Sequence, residues 1–184
     1  MGYKRLFIWV EGNDDKRFFD KIIAPKLQKK YNFVKTILYA TLKKERIDSY
    51  IKSIKAMGAE YIFLTDINSS SCVTAKKQKI QNKLKNIDEE KIIVVIKEIE
   101  SWYLSGLDDK ASRKLGIRTY NVTDSITKEQ FNSLIPKKFD SRIDFMLEIL
   151  KNFSIKIAKR KNRSFRYFIE KYNCEIFGND DNSG

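Results

Sequence analysis

Apolar residues form a short block at Arg5 to Val10 and, after the polar stretch Glu11-Gly12-Asn13-Asp14-Asp15, return at Phe18, Phe19, Ile22, Ile23 and Leu27. The block predicts a strand and the later spacing one face of a helix. Phe33 to Tyr39 reads as a second strand, followed by a helix from about Glu45 to Met57 with Ile47, Tyr50, Ile51 and Ile54 on one side. Tyr61 to Ile67 is a third strand containing Asp66, and a serine-rich loop, Ser69 to Ser71, leads into a Lys- and Gln-rich helix from Val73 to Leu84. Ile92 to Lys97 is the fourth strand, and Trp102 to Leu104 opens another helix. Strands alternating with helices of this length predict a parallel sheet covered on both faces. The runs Ile62 to Leu64 and Ile92 to Ile96 do not alternate, which predicts central strands buried on both sides.

From Ser105 onward the strand pattern stops. Helical spacing recurs near Lys128 to Leu134, Arg142 to Phe153 and Phe165 to Tyr172, and Gly178 to Gly184 reads as a frayed tail. The expected architecture is an α/β core of about four parallel strands over residues 1–107, a helical extension over 108–177 packed on it, and a disordered tail over 178–184.

Composition narrows the chemistry. The 184 residues contain no histidine, which excludes Ser-His-Asp and Cys-His nucleophile systems, HExxH proteases and imidazole bases. Two separated cysteines, Cys72 and Cys174, support neither a zinc cluster nor a disulfide framework and fit a reduced, cytoplasmic setting. The longest aliphatic run, Ile92 to Ile96, is far short of the ~18 residues a membrane span needs, and the apolar block at Leu6 to Val10 is too short for a signal peptide. Any catalysis therefore rests on Asp, Glu, Lys, Arg, Ser, Tyr and a hard cation such as Mg²⁺ that suits oxygen ligands.

With 37 basic and 24 acidic side chains the net charge is +13, which makes a polyanionic partner the first thing to consider. Residues 1–109 carry 21 basic and 15 acidic side chains and residues 110–171 carry 16 and 6, so the helical part is the more basic. Lys156, Lys159, Arg160, Lys161, Arg163 and Arg166, interleaved with Ile155, Phe165, Tyr167 and Phe168, form either a solvated helix face or a phosphate-contacting surface.

In a parallel sheet, functional groups collect at the carboxyl ends of the strands. There the chain carries its acids: Glu11 after the first strand, Asp66 in the third, and Glu98 and Glu100 after the fourth, with Asp14 and Asp15 opening the first helix and Asn68 just beyond Asp66. Each has an ordinary reading: Asp14 or Asp15 as a helix cap, Asp66 as a turn former, Glu100 as an exposed first-turn acid. Three separated strands ending in acids within a basic chain point instead to a cation site, because gathered carboxylates raise one another's pKa unless a cation neutralises them.

Val10-Glu11-Gly12-Asn13-Asp14-Asp15-Lys16-Arg17-Phe18-Phe19 resembles the first motif of the Toprim domain, EGxxDxxF after a strand, and Phe63-Leu64-Thr65-Asp66-Ile67-Asn68 resembles its second, DxD after strand three. Val95-Ile96-Lys97-Glu98-Ile99-Glu100-Ser101-Trp102-Tyr103-Leu104 is similar to small Toprim proteins related to the OLD-type nucleases, where a Glu just before a Trp closes the acidic site; the segment Asn162 to Phe168 is similar to that group's helical finish. The resemblance covers residues 4–107. It implies a Toprim-like (Rossmann-like) fold and Mg²⁺- or Mn²⁺-dependent phosphodiester chemistry. Glu11 would be a metal ligand or acid/base, Asp66 the main ligand, Asp15 and Glu100 supporting members, and Lys97 a charge on the scissile phosphate. Asn68 departs from the motif, replacing its second acid with an amide, for which Glu98 or Glu100 would compensate.

The function expected is a stand-alone metal-dependent nuclease acting on DNA or RNA. By resemblance to the OLD group it would serve anti-phage or anti-plasmid defence with an ATPase partner; a homodimer stays open. The alternatives are a non-catalytic Toprim-like module that binds nucleic acid or a partner, with Asn68 marking a decayed site, and an RNA-maturation ribonuclease. Tyr103, beside Trp102 and Leu104, reads as a packed aromatic and not a nucleophile.

Overall fold

The computed structural model describes residues 2–174. The tail predicted over 178–184, and the last three residues of the predicted extension, lie outside them. Strands β1 (Arg5–Val10), β2 (Phe33–Leu38), β3 (Glu60–Asp66) and β4 (Ile92–Val95) form one four-stranded sheet in the order β2-β1-β3-β4, every pair parallel. This is the expected Rossmann-like arrangement. Among the described residues no helix is long and apolar enough to cross a membrane.

The first connection starts as helix α1 (Asn13–Phe18), widens into a π-helical turn (Phe19–Ile23) and ends as α2 (Ala24–Leu27). The wide turn precedes Pro25, whose ring lacks an N–H and would clash with the preceding turn of a regular helix. Helices α3 (Lys44–Ala56) and α4 (Val73–Lys83) make the next two crossovers. After β4 come α5 (Glu100–Ser105), α6 (Asp109–Leu115), α7 (Lys128–Ser133), α8 (Arg142–Lys151), α9 (Ile155–Lys161) and α10 (Arg163–Tyr172).

Two apolar layers sandwich the sheet. On one face Trp9, Tyr61, Phe63, Ile92 and Val94 pack with Ile47, Ile51 and Ile54 of α3 and with Leu84 and Ile87. The other face presents Leu6, Ile8, Val10, Ile62, Leu64, Ile93 and Val95 to a larger cluster that includes Phe18, Phe19, Trp102, Tyr103, Phe145, Phe165 and Phe168. That cluster draws on residues from both sides of position 107, so the later helices cover the sheet face. β4 is an edge strand, contrary to the central place its unbroken apolar run predicts. It is nonetheless wholly buried, because α4 and α10 both pack on it.

Helix α6 has no counterpart in the predicted elements, although both its ends are signalled. Asp108 caps it by accepting the Ala111 N–H at 2.7 Å, and Gly116 ends it in the left-handed region at φ 81°. Gly106 closes α5 where the Phe153 ring lies 2.3 Å from the point a Cβ would occupy, so only glycine admits that ring.

Candidate metal centre

Parallel pairing sends the carboxyl ends of β1, β3 and β4 to one rim. Register fixes the levels: Trp9 pairs with Phe63 and Asp66 with Val95, so Glu11, two residues beyond Trp9, continues to the level of Thr65. Glu11, Asp15, Asp66, Glu98 and Glu100 are close enough for their charges to act on one another. This is the convergence predicted from the strand ends.

Asp15 is 7 % exposed and accepts the Gly12 N–H at 3.1 Å, so it does close the first turn of α1. Burial pushes its carboxyl up to about 7; the hydrogen bonds from Gly12 and its own N–H oppose this, and the charges of Glu11 and Glu100 add to it. Asp66 is pushed further, to about 8, first by burial and then by Asp15, Glu11, Glu100 and Glu98. Its Oδ1 is buried with no hydrogen-bond partner. An orphaned carboxylate oxygen inside a protein is costly, and a proton, a water or a bound cation would each relieve it.

The other acids have partners. Arg142, the first residue of α8, reaches Asp14 through Nη1 and Glu100 through Nη2 at 2.5 Å, while Arg17 reaches Asp14 at 2.6 Å. Burial works against an ionised Asp14, but the hydrogen bonds and charges of Arg142 and Arg17 outweigh it and hold that carboxyl below its usual range. Glu100, 3 % exposed, is raised by burial despite Arg142. Glu98 accepts the backbone N–H of Lys128 at the start of α7. Asn68 and Lys97 are exposed and take left-handed backbone at φ 49° and φ 64°. The lysine conformation is the more strained of the two, since a short polar Asn tolerates that region.

Tyr103 is fully buried, its ring 5.2 Å from that of Phe18 and its hydroxyl donating to the Asp14 carbonyl at 2.8 Å. It is a packing residue. Of the six basic residues expected to grip phosphate, three have partners within the fold: Lys159 of α9 pairs with Glu170 of α10, Lys161 donates to the Leu107 carbonyl between α5 and α6 at 2.6 Å, and Arg163 meets Asp124 in the turn before α7 at 2.7 Å. Lys156, Arg160, Arg163 and Arg166 are exposed.

Arg142, Arg17 and Lys76 are the residues the sequence reading passed over. Lys76, in α4, is buried and feels the charges of Glu11 and Asp66. Its position was legible: Lys76, Ile80 and Leu84 share one face at four-residue spacing, which sets a lysine in an apolar stripe. Arg142 has a weaker signal, a cation in the first turn of a helix, where the macrodipole disfavours it. Truncating it should leave Asp14 and Glu100 unbalanced. Arg142→Ala is expected to lower unfolding stability by about 2–3 kcal/mol, and adding Glu100→Gln to recover part of the loss. Urea unfolding of the single and double variants reads this; additive effects would show that the pair is not coupled.

Among the described residues no group of three or more acidic or cysteine side chains is drawn tightly enough to form a ready-made metal cage. The oxygen-only donors Glu11 and Asp66 suit a hard ion held by one or two carboxylates, with water and a substrate phosphate completing its shell, as Mg²⁺ ordinarily is. Comparison with protein-family models, curated proteins and solved structures finds no match to this chain.

Proposed function

We propose that this protein is a Toprim-like nuclease that hydrolyses phosphodiester bonds in DNA or RNA with Mg²⁺ or Mn²⁺. The observation that carries the reading is the convergence at the sheet rim of Glu11, Asp15 and Asp66, whose charges no guanidinium neutralises, with an orphaned Asp66 oxygen among them. Glu11 and Asp66 would hold the ion, with Asp15 beside them, while Glu100, paired to Arg142, supports the site and does not supply a ligand. The bound ion would lower the pKa of an attacking water and stabilise the leaving oxygen, without histidine.

Around the acids, this chain's cations would bind and orient the polyanion. A cleft of about 580 Å³ beside the rim is lined by Asn13, Lys16, Arg17 and Arg142 together with Asp14 and Asp20. Arg142 is committed to Asp14 and Glu100, Arg17 to Asp14 and Lys16 to Asp20, so a phosphate bound there would compete with those acids for the cations. The exposed Lys156, Arg160 and Arg166 would add long-range attraction that weakens as salt rises. A reduced, cytoplasmic setting and a defence role with an ATPase partner belong to the same proposal, from the separated cysteines and the resemblance respectively.

One observation favours a second reading. Arg142 already neutralises Glu100 and Asp14, and Asn68 adds no charge, as in a module that binds nucleic acid without cutting it. The experiment is incubation of labelled DNA and RNA with the full chain in Mn²⁺, Mg²⁺ or EDTA, alongside Glu11→Ala. Metal-dependent cleavage that disappears in the variant supports the nuclease; salt-sensitive binding without turnover supports the module.

A further inference from the structure

Lys97, two residues past the end of β4, is held in the left-handed region at φ 64°. A lysine keeps such a conformation only where its surroundings over-determine it. Here they do so through the preceding residue. The Ile96 N–H donates to the Ser164 hydroxyl at 3.3 Å, and the Ile96 carbonyl accepts the Ser101 hydroxyl at 3.3 Å. Ser101 also closes the far side of the turn, its N–H donating to the Glu98 carbonyl at 3.0 Å.

Both serines meet one side chain. Asn162, 1 % exposed, donates through Nδ2 to Ser101 at 3.3 Å and to Thr123 at 3.2 Å, and its Oδ1 accepts the Ser164 hydroxyl and the Phe165 N–H, each at 2.9 Å. These four bonds use every donor and acceptor site a side-chain amide has. The hydroxyl protons are committed as well: Ser101 gives its own to Ile96, Ser164 to Asn162 and Thr123 to the Lys161 carbonyl. Ser101, Thr123 and Ser164 are all buried, so the network has no slack and admits one arrangement. Capping α10 needs only the bond from Phe165, which a serine would also accept. The two Nδ2 bonds lead away from that helix, and the Ser101 branch ends on Ile96, at the foot of the turn. That turn carries Lys97 and Glu98 and runs into Glu100, the first residue of α5.

We propose that Asn162 is a positioning residue for the metal centre: from the helical end of the chain it reaches through Ser101 and Ser164 to both backbone groups of Ile96, and so sets the turn that brings Glu98 and Glu100 to the rim. The inference rests on the metal-site reading above. It gives the Asn162-Arg163-Ser164 segment a role apart from gripping phosphate, since the hydrogen bonds of Asn162 are all spent inside the core.

The test is isothermal titration of Mn²⁺ into the full chain without nucleic acid, for wild type, Asn162→Ser, Ser101→Ala and the double variant. Asn162→Ser keeps a cap on α10 and loses the reach to Ser101, whereas Ser101→Ala removes the bond to the Ile96 carbonyl. Each is expected to weaken Mn²⁺ binding about tenfold or more, as loss of an outer-shell partner does. The double variant should bind no more weakly than the weaker single, because both break one path. Ile51→Ala, in the apolar layer on the opposite face of the sheet, is a destabilised control that should bind Mn²⁺ like wild type. Melting curves establish that every variant is folded at the titration temperature. Wild-type affinity in folded Asn162→Ser and Ser101→Ala, beside a wild type that binds Mn²⁺, overturns this inference alone, as does an equal loss in Ile51→Ala. Additive losses in the double variant overturn the path through Ser101. A wild type that binds no Mn²⁺ overturns the inference together with the metal site.

Discussion

Asp66→Asn is expected to make the metal-free protein more stable at pH 8 and to abolish cleavage at the same time. The stabilisation follows from linkage. Asp66 has its folded-state pKa raised to about 8 by burial and by its acidic neighbours, whereas in the unfolded chain it titrates as an ordinary carboxyl near ~3.9. Between those values the folded state binds the extra proton, so stability falls as pH rises through the window and the penalty is complete above pH 8. Asp15, raised to about 7, acts in the same direction. The loss between pH 5 and pH 8.5 in EDTA should be on the order of a few kcal/mol, and the amide removes the larger share. For a chain of this size that raises the melting temperature at pH 8.5 by several degrees, at about 2–4 °C per kcal/mol. Mn²⁺ should restore wild type at pH 8.5 and leave the variant unmoved.

Activity moves the opposite way. Even outer-shell partners of a metal commonly cost 10–100-fold, so removing the main ligand should cost more than ~100-fold. Below about pH 4 the trend reverses, because Asp14 and Asp88 are held low by their cationic and hydroxyl partners and lose that stabilisation on protonation. Melting curves in EDTA and in Mn²⁺ across pH 4–9, with cleavage assays on the same samples, measure all of this. An Asp66→Asn protein that melts below wild type at pH 8.5 in EDTA would show that the aspartate is structural and not a member of a strained acidic site.

Trp102→Ala is expected to have the largest effect on folding. Trp102 is fully buried, with ring centroids 5.8 Å from Phe18, 6.1 Å from Phe19, 5.1 Å from Phe165 and 5.6 Å from Phe168. It joins the first connection of the sheet to α10, and its Nε1 donates to the Ser164 hydroxyl at 2.9 Å. Truncating such a side chain costs about 3–5 kcal/mol, comparable with the whole stability of a small domain. Trp102→Phe keeps most of the packing and loses the hydrogen bond, at about 1–2 kcal/mol. Urea unfolding followed by circular dichroism checks both, and an alanine variant within 1 kcal/mol of wild type would refute this account of the core. Because Glu100 sits two residues before Trp102, the alanine variant should also loosen the Arg142 pair at the rim.

The acids were legible in the sequence because chain order suffices to find them. Once strands are parallel, their carboxyl ends share a rim, so Glu11, Asp66, Glu98 and Glu100 converge whatever the side chains between them do. The basic helices show the opposite case. The charge of Lys159, Lys161 and Arg163 is plain in the sequence, but Glu170, the Leu107 carbonyl and Asp124 take those groups up, and pairing with a distant segment has no local signature. The same holds for Arg142, whose partners Asp14 and Glu100 come from two other elements. Lys76 lies between these cases: its inward position follows from spacing with Ile80 and Leu84, while the pull of Glu11 and Asp66 on its charge does not.

What the sequence determined by itself is the parallel α/β core, with each strand and crossover within a residue or two of its predicted span, and the set of carboxylates at its rim. Hydrophobic period and strand order are local properties, and they carry that much. What only the tertiary structure decided is which of those carboxylates are neutralised, by Arg17 and Arg142, and which are left without a guanidinium. Edge burial of β4 belongs to the same class. Neutralisation and burial depend on distances between elements far apart in the chain, and those are set by packing a single core from both of its ends.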